Sequence, residues 1–294
     1  MALGIDRADM DGGPPDWRRM ASAGVSFAII RAAWGTSADK DFARDWPLVA
    51  AAGMTRGAYL FLRFPRLDAK GILHPAPVPA DQAAFLTGIL PRLAPGDLPP
   101  AVDVEFPGRG RIDTGIPPMT PEALINGVVE VVGVLCACYR VQPWIYTSAR
   151  GWEEDLANLL APALSSCHLW LGGGYPYKSG PAVLAPGALA WPPIPPPWGK
   201  RGDNACLVHQ YQGDATGLAG ANGTVDLNRW NVLSRGCKPG RLVAWVQEQL
   251  RLPTTGDFDA RTEAEVKVFQ QLAGLQADGM VGPKTYARLW SPDV

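Results

Sequence analysis

The sequence predicts an α/β protein: a TIM-like (β/α) barrel followed by a second, small all-α domain of three helices. Three observations lead there. Short apolar runs such as Phe27-Ala28-Ile29-Ile30 alternate with helical patterns up to about residue 230. Near-continuous apolar strands of this kind suit a parallel sheet covered on both faces, and this many strand–helix units argue closure into a barrel. After residue 240 the texture changes to three short helical patterns separated by Asp-Gly-type turns.

Strands are expected at Leu3–Asp6, Phe27–Trp34, Gly57–Leu62, Ala101–Glu105, Pro143–Thr147, His168–Gly172, Cys206–Tyr211 and near Val225–Asn228. Helices are expected at Asp16–Ala23, Phe42–Ala52, Ala80–Leu90, Pro121–Tyr139 and Trp152–Leu160. Gly24 and Gly53 sit where helices should stop. Thr120-Pro121-Glu122 places a cap residue ahead of a first-turn proline and an acid. Residues 173–204 break the alternation with a Gly- and Pro-rich excursion. It reads either as a surface loop or as a groove wall, with Trp191 or Trp198 as an aromatic platform. The domain boundaries are placed at 1–233 for the barrel, 234–240 for a linker and 241–294 for the helical domain. A weak internal repeat relates Gly256–Thr262 to Gly279–Thr285. Thr262 with Glu265 reads as a capping box, and Thr285 is placed to cap the last helix.

Composition narrows the function classes. The formal net charge is −1; residues 1–237 carry 20 Lys+Arg and 21 Asp+Glu, and residues 238–294 carry 7 of each. There is no basic stripe, so nucleic acid is not an expected partner. No apolar stretch reads as long enough to insert in a membrane, the run Gly127–Cys138 being too short. A monomer is expected. The five cysteines are odd in number and lack zinc-site spacing. Most read as free thiols, with a disulfide of Cys206 to Cys237 or Cys167 left open. His74, His168 and His209 show no metal-like spacing, and neither a Gly-x-Ser-x-Gly elbow nor a phosphate-binding glycine loop occurs. No metal or organic cofactor is expected.

The chemistry concentrates in acids at strand ends. Asp103-Val104-Glu105 closes an apolar strand. Residues i and i+2 share a strand face, with Cα atoms about 7 Å apart, so both carboxyls can enter one cavity at the end of the barrel where active sites sit. Asp6 ends the first strand and Asp226 is read as ending the last. Closure would bring those two strands together. Asp9-Met10-Asp11, Asp257-Phe258-Asp259 and Glu263-Ala264-Glu265 have related spacing but solvated contexts. Burying unpaired acids costs several kcal/mol, and clustering them raises their pKa values. Tyr59, Tyr146, Trp170, Tyr211 and Trp34 are candidates to line the cavity; for each, a role in the core stays open.

In order along the chain, Gly4-Ile5-Asp6, Phe27–Ala32, Gly57–Phe61, Asp103-Val104-Glu105, Ile145–Ser148, Leu169-Trp170-Leu171, His209-Gln210-Tyr211 and Val225–Asn228 together resemble glycoside hydrolase family 25, the Chalaropsis-type lysozymes, over roughly residues 3–230. Leu242–Leu250, Thr255–Phe258, Thr262–Gln271 and Val281–Thr285 resemble the three-helix peptidoglycan-binding domain. The resemblance implies cleavage of the β-1,4 bond between N-acetylmuramic acid and N-acetylglucosamine in bacterial peptidoglycan. It implies Glu105 as general acid/base and Asp103 as the residue orienting the substrate's 2-acetamido group for attack on the anomeric carbon. Asp6 and Asp226 would be supporting acids. Departures are Arg7-Ala8-Asp9-Met10-Asp11 after the first acid, Leu60 between the aromatics of the third strand, and the long 173–204 segment. The chain opens directly on a strand pattern, so cytosolic synthesis without a leader is expected, with action on the wall after release or export. A phage endolysin is the expected context and a bacterial autolysin the second. Two other readings stand beside the muramidase: a non-catalytic wall binder that keeps the barrel as a groove, and a barrel hydrolase acting on chitin-like chains.

Overall fold

The computed structural model describes residues 2–291 apart from 69, 106–118, 174, 178, 187–188 and 200–204. Eight strands close a barrel: β1 (Ala2–Arg7), β2 (Val25–Trp34), β3 (Thr55–Phe61), β4 (Ala101–Asp103), β5 (Trp144–Ser148), β6 (His168–Gly172), β7 (Cys206–Thr216) and β8 (Val225–Trp230). Around the barrel the order is β1-β8-β7-β6-β5-β4-β3-β2, and β2 pairs β1 again. Helices α1 (Trp17–Ser22), α2 (Phe42–Ala51), α3 (Pro79–Ile89), α4 (Pro121–Tyr139) and α5 (Ala149–Leu156) follow β1 to β5. Gly24 and Gly53 take positive φ values of 97° and 78° after α1 and α2, and Thr120 caps α4 by accepting the Ala123 N–H.

The barrel departs from an even eightfold pattern at its end. β8 runs antiparallel to both β7 and β1. The short segment 217–224 joins β7 to β8, and a connection of that length can make a hairpin but not a helical crossover. α4 corrects the expectation about apolar stretches. It is 19 residues long and apolar enough to cross a membrane by length and composition. Its apolar face, including Leu124, Val128, Val131 and Leu135, is buried in the layer between helices and strands.

Strand parity separates two cores. Leu3, Ile5, Ala28, Ile30, Leu60, Val102, Ile145 and Leu169 face the helices. Phe27, Ile29, Tyr59, Trp144, Tyr146, Trp170, Val208 and Trp230 fill the barrel interior. All five cysteines are free thiols, so neither open disulfide pairing forms.

The helical domain comprises α6 (Arg241–Gln249), α7 (Ala260–Leu272) and α8 (Pro283–Leu289). Its internal repeat has a physical basis in two buried glutamines. The Gln247 side chain donates to Thr255 Oγ1, the Asp257 carbonyl and Thr262 Oγ1, and accepts the Gly256 N–H. Gln270 does the same with Asp278, the Met280 carbonyl, Thr285 and Gly279. Thr262 and Thr285 are therefore staples within their helices, not caps as expected. Asp259 caps α7 by accepting the Thr262 N–H, and Gly282 precedes α8.

This domain is packed on the barrel floor, the N-terminal ends of the parallel strands. Tyr286 is buried against Trp144 and Trp230 at ring-centroid distances of 5.6 and 5.3 Å. Its hydroxyl accepts the Trp144 indole N–H at 3.0 Å and pairs with Nδ1 of His168. Trp290 donates its indole N–H to the Asp97 carbonyl at 3.0 Å. Leu233, in the connecting segment, pairs its backbone with Val281. Tyr286→Phe is expected to cost about 1–3 kcal/mol by leaving the Trp144 N–H and His168 without a partner. Tyr286→Ala should cost about 3–5 kcal/mol through the cavity it opens. Urea unfolding reads both, and a Phe variant as stable as the parent would contradict this account of the floor.

Candidate active site

The C-terminal ends of the parallel strands open into a cavity of about 500 Å³. Asp6, Asp103, Glu105 and Asp226 all line it. Each arrives there by strand parity. Asp6 and Asp226 are direct cross-strand partners on β1 and β8. Asp103 ends β4, in register with Phe61 and Tyr146, and Glu105 lies two residues on. Asp6 and Asp103 are buried, while Glu105 and Asp226 are partly open.

One amide organises two of the acids. Gln210 on β7 donates one N–H to Asp6 Oδ2 at 2.8 Å and the other to Asp226 Oδ2 at 2.9 Å. Its oxygen accepts the hydroxyls of Tyr146 at 2.7 Å and Tyr175 at 2.6 Å. These partners fit the amide in this orientation, since each acid offers an accepting oxygen and each hydroxyl can donate. Gly172 makes room for this contact, because a Cβ there would lie 2.1 Å from the Tyr146 hydroxyl. A second line runs from the Trp170 indole N–H to Asn228 Oδ1 at 2.8 Å, and from the Asn228 amide to Asp6 at 2.6 Å. Asp226 also accepts the Asp214 backbone N–H at 2.8 Å. Asp103 Oδ1 is buried and has no hydrogen-bond partner among the described residues.

Desolvation dominates the electrostatics. Burial pushes the Asp6 carboxyl well above the usual aspartate range, the nearby Asp226 charge adds to this, and the Asn228 and Gln210 hydrogen bonds oppose it. Burial also raises Asp103, reinforced by the charges of Glu105 and Asp6. Asp226 is pushed up to about 7, again mainly by burial. Arg31 is the nearby cation, but it is held by Asp39 at 2.9 Å and by Asp9. The site thus keeps protons near neutral pH.

The aromatic residues divide. Tyr59, Tyr146, Trp170 and Trp34 line the cavity. Trp34 stacks on Phe61 with centroids 4.0 Å apart and rings 8° from parallel. Tyr211 does not line it, which corrects the expectation. It is fully buried toward the helix side, and its hydroxyl donates to the Val183 carbonyl at 2.8 Å. Parity explains this: Tyr211 neighbours the inward Gln210, so it must point outward. The excursion at 173–204, described only in part, contributes Tyr175 to the cavity and neither tryptophan. Trp198 is buried against Trp152 and donates to the Cys167 carbonyl at 2.9 Å. Trp191 lies over Arg229, 4.2 Å from guanidinium to ring centroid, away from the acids. Gln210, Tyr175 and Arg31 were not proposed as site residues from the sequence, and Asp11, expected to be a solvated acid, instead lines the cavity, where burial raises its carboxyl. Gln210 could have been proposed, since it shares with Val208 the strand face that parity sends inward.

Above the ordinary histidine value of 6.5, unfolded histidines are neutral and cease to oppose the buried His168 and His209, which burial pushes down to about 3 and about 4. There the raised acids decide the slope. The folded chain keeps protons on Asp6 and Asp103 that unfolded aspartates, at 3.8, have lost. Stability should therefore fall as pH rises from about 6.5 through about 7, where Asp226 gives up its proton, with the raised Asp6 and Asp103 acting in the same direction. Asp6→Asn, which mimics the protonated acid, should flatten the slope. Urea unfolding across this range measures it, and a level profile for the parent chain would refute the protonated cluster.

The model of the family described as glycosyl hydrolases family 25 matches residues 5–184. A model of a peptidoglycan binding domain matches residues 240–289. Among solved structures, a bacterial lysozyme from Streptomyces coelicolor is similar at 22% identity and a TM-score of 0.60, covering 78% of this chain and 92% of that one. A muramidase from Acremonium alcalophilum matches at 21% identity and 0.60, covering 79% and 94%. A family 25 glycosyl hydrolase from Bacillus anthracis matches at 22% and 0.56, covering 79% and 89%. No curated protein matches the chain.

Proposed function

The chain belongs to glycosyl hydrolases family 25, and from that premise we propose that it is a muramidase that cleaves the β-1,4 bond between N-acetylmuramic acid and N-acetylglucosamine at the acid cluster of the barrel mouth. The observation that carries the reading is the meeting of Asp6, Asp103, Glu105 and Asp226 in one open cavity. The C-terminal peptidoglycan binding domain supports the same polymer as substrate. The division of labour assigns residues 1–233 to cleavage and 241–294 to wall binding, and the site of action is peptidoglycan outside the cell membrane.

Glu105 is assigned as general acid/base. It is the acid of the 103–105 pair that is partly open, so it can meet a glycosidic oxygen. Asp103 is assigned to the 2-acetamido group. Its unpartnered Oδ1 accepts the amide N–H, which makes the amide oxygen a better nucleophile toward the anomeric carbon. Attack by that oxygen breaks the glycosidic bond as Glu105 gives its proton to the leaving oxygen. Glu105 then takes a proton from the water that opens the cyclic intermediate, so the configuration is retained. Asp6 and Asp226, held apart from one another by Gln210, tune the charge felt by these two. Trp34, Tyr59, Tyr146 and Trp170 shape the walls against which a sugar ring packs.

Glu105→Gln is expected to lower turnover on purified walls by about 10²–10⁴-fold with the fold intact. New reducing ends should carry muramic acid. N-acetylglucosamine at those ends, or full activity in Glu105→Gln, would overturn the assignment.

A further inference from the structure

We propose that Arg63 is a carboxylate-binding subsite on the rim of the acid-lined cavity, and that it selects a glycan whose muramic acid bears a free carboxylate over a neutral chain of N-acetylglucosamine. The choice of polymer rests on the muramidase reading given above. The preference for an anion rests on Arg63 itself.

Local structure fixes this residue at the mouth. β3 ends at Phe61, and two residues on, the Arg63 backbone is clamped by Gln82, a fully buried side chain of α3. The Gln82 oxygen accepts the Arg63 N–H at 2.9 Å. Its amide donates to the Arg63 carbonyl at 2.8 Å and to the Pro77 carbonyl at 2.7 Å. Gly35, which follows Trp34, donates its N–H to the Phe61 carbonyl at 3.0 Å. It takes a φ of 60°, and a Cβ there would lie 3.1 Å from Arg63 Cδ. Glycine at this point lets the arginine stem run beside Trp34, which lines the cavity.

The guanidinium is short of partners. Arg63 is half-buried. Its Nε is buried and has no hydrogen-bond partner among the described residues. An N–H hidden from water and left unpaired is costly, and a ligand that accepts from it removes that cost. Arg31 makes the contrast. The two guanidinium carbons lie 5.4 Å (Arg31) and 6.0 Å (Arg63) from the Trp34 ring centroid. Arg31 is neutralised by Asp39 and Asp9, whereas no carboxylate pairs with Arg63 among the described residues.

Charge selects the ligand. Asp11, Glu105, Asp214 and Asp226 line the neighbouring cavity. They repel a polyanion, but a single carboxylate on an otherwise neutral chain can pass them. A guanidinium presents a planar fork that matches two carboxylate oxygens, and Nε is one of its prongs. A chain of N-acetylglucosamine leaves that fork empty. Muramic acid adds a lactyl ether, whose carboxylate is free on a bare strand. On a peptide-bearing strand that carboxyl is tied in an amide, and the free carboxylates belong to the peptide. Both sources offer the same chemistry on a sugar packed against Trp34.

The test is a calorimetric titration of a muramic-acid-containing tetrasaccharide, bare or peptide-bearing, into the full chain carrying Glu105→Gln. Saturable binding is expected for the form that Arg63 reads. Amidating the carboxylates of that form should weaken it at least about tenfold, and so should Arg63→Gln. The two losses should not add, so amidation has little further effect in Arg63→Gln. Arg63→Lys, which keeps the charge without the fork, should recover part of the affinity. Coupled loss with the bare tetrasaccharide identifies the lactyl carboxylate as the ligand, and coupled loss only with the peptide-bearing one identifies the peptide carboxylate. Equal affinity for the free and amidated forms of both ligands, or an Arg63→Gln effect that is absent or the same on free and amidated forms, overturns the proposal. Reducing-end release by the parent chain tests the hydrolase reading separately. A chain that cleaves walls but ignores amidation loses only the subsite, and one that shows the coupled loss but cleaves nothing loses only the hydrolase assignment.

Discussion

Closing eight strands into a ring forces alternate side chains of every strand into one shared interior, and that interior has to be filled. At the floor it is filled by Phe27, Trp144, Val208 and Trp230. At the mouth the inward positions are Asp6, Arg31, Asp103, Gln210 and Asp226, and they surround a cavity. The two ends thus have opposite chemistry from the same geometric rule. The packed end fixes strand positions, and that rigidity holds acids together which would repel one another on a flexible scaffold.

The mouth is stable only because its polar groups answer each other. Gln210 is a neutral side chain able to donate twice and accept twice. It places an N–H between Asp6 and Asp226 and anchors its oxygen on Tyr146 and Tyr175. Asn228 repeats the arrangement on a smaller scale between Trp170 and Asp6. Hydrogen bonds of this kind lower the cost of a carboxylate, while burial raises it; here burial wins, and protons stay on the cluster. Asp103 Oδ1 is the exception, buried without a hydrogen-bond partner among the described residues.

The floor is completed by a different domain. Tyr286 seals the barrel from beneath, and its hydroxyl satisfies the Trp144 indole. The helical domain therefore shares a core with the barrel, and the segment before α6 is pinned by the Leu233–Val281 pairing instead of swinging freely. The acid cluster and the helical domain are thereby held at opposite ends of one body.

How much was legible follows from which physical signals are local. Apolar runs and helical periodicities placed the eight strands and the helices to within a few residues. Acids closing apolar strands flagged Asp6, Asp103 and Glu105, because an unpaired charge in such a place demands a reason; Asp226 was read the same way, but it opens β8 and reaches the mouth because that strand runs antiparallel to β1. Tyr211, Trp198 and Trp191 misled because aromatic residues serve packing and recognition equally well, and composition cannot tell which side of a strand faces inward. Thr262 and Thr285 looked like caps because their partners, Gln247 and Gln270, lie on preceding helices. By itself the sequence determined periodicity, strand identity and the positions of the acids, all of which depend on neighbours along the chain. Only the tertiary structure decided that Gln210 rather than Tyr211 enters the site, that β8 reverses direction, and that Tyr286 closes the barrel. Those outcomes turn on which face points inward once the ring has closed, and a hydrogen bond between residues 142 positions apart leaves no local trace.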